Sequence, residues 1–138
     1  MHSLQGCIGE AIFITECLVR NIPVYQPVAD IYGVDMITGH DLKKIQVKTC
    51  SKIDDRYKSS TSYKVQCRRG AACVAYDNEF DYMAAYLIPI DTWYIIPIKE
   101  LNKTTIRVNP SSEKCKFHKY KKAWHLINNS PERESLRD

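Results

Sequence analysis

The most constraining stretch of the chain lies between residues 33 and 49. Gly33-Val34-Asp35-Met36-Ile37 alternates, Thr38-Gly39-His40-Asp41 is a turn signal, and Lys44-Ile45-Gln46-Val47-Lys48-Thr49 alternates strictly. Period-two patterning on both sides of a turn predicts a β-hairpin. Side chains two apart on a strand share a face, so Ile45 and Val47 point into a core while Gln46 and Lys48 stand side by side on the opposite surface. Further strands follow from Tyr63 to Arg68, which alternates, and from Phe80–Ile90 and Trp93–Ile98, which are β-branched and aromatic and joined by Pro89-Ile90-Asp91-Thr92. Ile106-Arg107-Val108 adds an edge strand, and Pro23 and Pro27 bracket Val24-Tyr25. Helical spacing marks Glu10–Val19, ending before Asn21-Ile22-Pro23. A second helix is expected to open at Asn109–Glu113 and run through Lys116–Ile127. The fold expected is an α/β domain of α+β type, with a mixed, mostly antiparallel sheet of about five strands between an N-terminal and a C-terminal helix.

With 138 residues, one domain is expected over residues 1–128, followed by a frayed tail at 129–138. A composition 44% hydrophobic and 26% charged excludes wholesale disorder and fibrous repeats. The longest apolar runs, Tyr82–Ile90 and Tyr94–Ile98, are interrupted and too short to span a bilayer, and residues 1–5 lack a signal-peptide pattern. A cytoplasmic protein without a membrane segment is therefore expected. Six cysteines without CxxC pairs read as reduced, mostly buried thiols, and Cys115 with His118 lacks the second pair a zinc site needs.

Gly9-Glu10 opens the expected helix, Asp35 ends the short strand and Gln46-Val47-Lys48 follows on the next strand. Phosphodiester hydrolysis needs a divalent cation to neutralise developing charge and a positioned water, so oxygen ligands and a lysine must converge on one phosphate. Asp35 and Gln46 can ligate the metal, the Val47 carbonyl offers a further oxygen, and Lys48 stands where its ammonium can orient the water. Each residue also has a plainer reading: Glu10 as favourable placement near a helix start, Asp35 as a hairpin turn residue.

In this order the residues resemble the PD-(D/E)xK nucleases, over roughly Gly9 to Ile127. The branch most similar contains a group I intron homing endonuclease and carries glutamine in place of the second acid, as in Ile45-Gln46-Val47-Lys48-Thr49. Glu79-Phe80-Asp81-Tyr82, Tyr94-Ile95-Ile96-Pro97 and Lys119–Ile127 are similar to the same branch. The resemblance implies a restriction-endonuclease-like core and Mg²⁺ (or Mn²⁺) as cofactor. It implies Asp35 as principal metal ligand, Glu10 as the helix carboxylate, Gln46 as an oxygen ligand and Lys48 as the catalytic lysine. Val34-Asp35 stands for the pair that names the superfamily, and Asp30 is a competing aspartate.

Lys52, Arg56, Lys58, Lys64, Arg68 and Arg69 follow the motif and are the candidate DNA contacts, together with Gln66. Lys64, Gln66 and Arg68 share one face of a strand, the geometry with which a β-ribbon reads base edges; a solvated face is the alternative. Lys114, Lys116, Lys119, Lys121 and Lys122 form a second set of candidate phosphate contacts, for which solvated surface flanking a buried Trp124 is the preferred reading. The function expected is metal-dependent endonucleolytic cleavage of double-stranded DNA by a homodimer or homotetramer, with intron homing as one form of it. The alternatives are a junction resolvase or repair nuclease on the same core, and a non-catalytic DNA-binding protein with a degraded site.

Overall fold

The computed structural model describes residues 3–30, 33–51, 62–67 and 79–128. The Ser3 hydroxyl accepts the Gly6 N–H at 3.0 Å and caps helix α1 (Leu4–Val19), which therefore begins at Leu4 rather than at Glu10. Gly6 and Gly9 weaken the helical signal in that first stretch; the cap and the packing below outweigh them. Asn21, at φ 56°, turns the chain out of the helix.

Five strands form the central sheet in the order β1 (Val24–Tyr25), β2 (Met36–Thr38), β3 (Lys43–Cys50), β5 (Tyr82–Leu87), β6 (Thr92–Pro97). The hairpin of β2 and β3 is in place, with Met36 opposite Ile45 and Gly39 at φ 78° in its turn. β3 and β5 run parallel, Gln46 beside Met83 and Lys48 beside Ala85. β5 and β6 form a second hairpin through a short 3₁₀ turn, where Asp91 adopts φ 47° and accepts the Tyr86 hydroxyl at 2.7 Å.

The sheet is the middle layer. On one side Phe13 and Cys17 of α1 pack with Ile45, Val47, Ala84, Tyr86, Trp93 and Ile95. Tyr86 stacks on Trp93 at 4.5 Å, and Phe13 and Trp124 complete the aromatic group. The other side buries Met83, Ala85, Leu87, Tyr94 and Ile96 under a two-stranded ribbon of β4 (Tyr63–Gln66) and β7 (Thr105–Val108). Burial on both faces is why β5 and β6 read as nearly continuous apolar runs.

Two expectations are corrected. The strand beginning at Tyr63 does not join the central sheet; it pairs with the expected edge strand, Tyr63 opposite Val108, and the ribbon so formed covers the sheet. No C-terminal helix forms among the described residues. The stretch from Lys116 to Ile127 holds two 3₁₀ turns, His118–Tyr120 and Trp124–Leu126. Between them Lys121 is extended and bridges Tyr94, and Lys122 sits at φ 54° with its N–H donated to the Trp93 carbonyl at 2.8 Å. Phe117, Tyr120, Ala123 and Trp124, and Ile127 are the buried positions, a spacing near three that suits 3₁₀ turns better than an α-helix.

Among the described residues no cysteine is in a disulfide, and burial pushes the Cys17 thiol pKa up to about 12. No described helix is long and apolar enough to cross a membrane.

Candidate active site

Asp35 sits just ahead of β2, its N–H donating to the Ile45 carbonyl at 2.8 Å. From there its carboxylate reaches across the hairpin. Oδ2 accepts the Val47 N–H at 2.8 Å and the Gln46 Nε2 at 3.0 Å, so the side chain is fixed by the neighbouring strand. Gln46 is 4% exposed, and its Oε1 has no donor among the described residues. Lys48 follows on the same face of β3.

Helix α1 brings the second carboxylate. A Cβ on Gly9 would overlap Cγ2 of Thr49 and stand 3.5 Å from Val47 Cγ1, so only glycine lets the helix lie this close to β3. Gln5 reinforces the contact, its Nε2 donating to the Thr49 carbonyl at 3.3 Å and to Thr49 Oγ1 at 3.2 Å. Glu10 consequently lines a cleft of about 370 Å³ together with Asp35, Gln46, Val47 and Lys48. Gln66, from the end of β4, closes the same cleft. Asp30 lines an adjoining cavity of about 200 Å³, whose walls also include Glu10 and Asp35.

Glu10, Asp35, Gln46, Val47, Lys48 and Gln66 thus share one cleft. Lys64 lies on the exposed face of β4, whereas Lys52, Arg56, Lys58, Arg68 and Arg69 fall outside the described residues. Sequence reasoning missed Thr49 as the seat of α1, and it missed Arg107 and Thr105, which pair with Lys64 and Gln66 across the ribbon. The alternation Thr105-Ile106-Arg107-Val108 carried that signal, but its pairing partner lies some forty residues earlier.

A family model described as PD-(D/E)XK endonuclease matches residues 2–127. The chain belongs to the PD-(D/E)XK endonuclease family. Membership makes it a phosphodiester hydrolase by descent, with DNA as the substrate class. Among solved structures, that of the bacterial homing endonuclease I-Ssp6803I is similar at 26% identity and a TM-score of 0.73, over 92% of each chain. No curated protein gives a significant match. Val34, the residue before Asp35, is buried. Gln46-Val47-Lys48 lies on the strand that holds Asp35 in place.

Proposed function

We propose that the protein is a metal-dependent endonuclease of duplex DNA, of the homing type, with Glu10, Asp35, Gln46 and Lys48 as its active site. The observation that carries the reading is the Asp35 carboxylate held by Val47 and Gln46 in the cleft that also contains Glu10 and Lys48. The similarity to a homing endonuclease over nearly the whole chain supports the finer assignment.

The donor set fits a hard divalent cation. Among the described residues no three His, Cys, Asp or Glu side chains converge on a metal by themselves, so an all-carboxylate or zinc-like site is not what these residues build. They offer instead the Asp35 carboxylate, the Gln46 amide oxygen, the Val47 carbonyl and Glu10, the oxygen chemistry Mg²⁺ and Mn²⁺ prefer. A buried amide oxygen without a donor costs roughly 1–3 kcal/mol, a cost that ligation offsets. When bound, such a cation neutralises charge on the scissile phosphate and acidifies a water. The chain's own residues do the rest. Asp35 fixes the phosphate-facing end of the cleft, Lys48 orients the attacking water and offsets negative charge on the oxygens of the pentacoordinate phosphorus, and Glu10 accepts the water's proton from the helix side as the P–O bond to the leaving oxygen breaks.

One cleft per chain cuts one strand, so a two-fold dimer, or a homotetramer built from it, would supply the second cut. The outer face of α1 suits self-association: Leu4, Ile8, Ala11, Thr15 and Leu18 recur at alternating spacings of four and three, are exposed, and carry no charge.

Supercoiled plasmid and linear duplex incubated with Mg²⁺ or Mn²⁺ test the reading: cleavage that chelation abolishes is expected. DNA bound but never cut, with either metal, would leave a non-catalytic binding protein. A Mg²⁺ titration on the Gln46 variants addresses the ligand set. Gln46→Glu is nearly isosteric and adds a negative charge beside Asp35, so half-maximal cleavage moves to lower Mg²⁺; Gln46→Ala moves it far higher or abolishes activity. Three superimposable curves would remove Gln46 from the ligand set.

A further inference from the structure

The β4–β7 ribbon is alternately buried and open. Tyr63 and Val65 on β4, and Ile106 and Val108 on β7, are its buried side. The opposite side presents Lys64 and Gln66, with Arg107 directly across from Lys64 and Thr105 across from Gln66. Gln66 also lines the cleft with Glu10, Asp35, Gln46 and Lys48, so this polar face is continuous with the proposed active site. Lys64 lies two residues farther from the cleft, roughly 7 Å along the strand, or about two base-pair steps of duplex. Beside Arg107 runs a groove of about 390 Å³, flanked by the exposed side chains of Lys103 and Lys116.

On the reading above that the cleft cuts DNA, we infer that the ribbon enters the major groove and that Arg107 determines sequence specificity at base pairs about two steps beyond those facing Gln66. A two-stranded ribbon matches the width of that groove. A planar guanidinium contacts guanine O6 and N7 bidentately, whereas the point charge of a lysine suits phosphates and discriminates less. Arg107 and Gln66 are therefore the base readers of this face, while Lys64 on the facing strand, with Lys103 and Lys116 beside them, holds the phosphate backbone.

The test selects duplexes from a randomised library with Ca²⁺ in place of Mg²⁺, so that binding is scored without cleavage, and separately measures cutting of the selected sites. Wild type, R107A, R107K and the K103A/K116A double variant are compared, each with its melting temperature. R107A is expected to lose about tenfold or more of its discrimination at the contacted base pair. R107K should keep affinity within a few-fold and still fail to restore the guanine preference. K103A/K116A should weaken binding equally for all sequences and lower the salt slope by about two. If R107A and R107K keep the wild-type preference, or lose affinity uniformly across sequences, Arg107 does not read bases. A wild type that selects a sequence but cuts nothing sinks the nuclease reading and leaves Arg107 still scored. Cutting without any sequence preference overturns the inference alone.

Discussion

Asp35→Asn is expected to reduce plasmid cleavage by about a thousandfold or more while the protein remains folded and bound to DNA. The two halves of that expectation come from different atoms. Asparagine keeps one oxygen that can accept the Val47 N–H, now made by Oδ2 at 2.8 Å, so the hairpin loses at most the charge-assisted part of two hydrogen bonds, roughly 1 kcal/mol. It loses the formal charge that would hold a divalent cation on this strand, where the adjacent position is the neutral Gln46, and leaves Glu10 as the carboxylate still lining the cleft. Lys48→Ala should lower cleavage by about 10²–10³-fold for another reason, loss of the ammonium beside the attacking water. Melting curves, DNA retention in Ca²⁺ and nicking of supercoiled plasmid separate these effects. Cleavage by Asp35→Asn near the wild-type rate would shift the metal site towards the adjoining cavity and Asp30.

The hairpin that carries Asp35 and Gln46 was legible because its information is local. Alternation from Lys44 to Thr49 fixed which side chains share a face, and the turn at Gly39 fixed where the preceding strand lies. Order along the chain then placed Asp35 opposite Gln46 and Val47, where the hydrogen bonds are found. What stayed hidden depends on distant pairing. Nothing near Tyr63 indicates that its partner is Val108 rather than a strand of the central sheet, since the same alternation suits either. The C-terminal segment misled for a different reason: buried residues every three positions resemble a helical face, and only the backbone at Lys121 and Lys122, held to β6, shows that the turns are separate. Glu10 does line the cleft, but the sequence pointed to it for an incomplete reason. Gly9-Glu10 looked like the opening of a helix, whereas it lies in the interior of α1, where glycine is needed for contact with β3.

That contact gives the second large effect. Gly9→Ala should destabilise the fold and lower cleavage by about 10²-fold, although alanine is the better helix former by roughly 1 kcal/mol. The added methyl overlaps Thr49 Cγ2, a short β-branched side chain on a strand, whose hydroxyl is engaged by Gln5. It cannot swing away without releasing that bond, so the helix must lift and carry Glu10 out of the cleft; overpacking of this kind costs about 1–3 kcal/mol. Gly6→Ala is the internal control, because a Cβ there meets only Ser3 Oγ at 3.4 Å, an ordinary contact, and the propensity gain should appear as a higher melting temperature. The same substitution one turn apart on one helix is thus expected to act with opposite sign. Adding Thr49→Ser to Gly9→Ala removes the offending methyl while keeping the hydroxyl for Gln5, and should restore both stability and cleavage. A Gly9→Ala protein as stable and active as wild type would mean that α1 does not press on β3 at this point, and that Glu10 reaches the cleft by some other support. Loss of activity that Thr49→Ser fails to rescue would place the damage in the helix itself rather than in its distance from the strand.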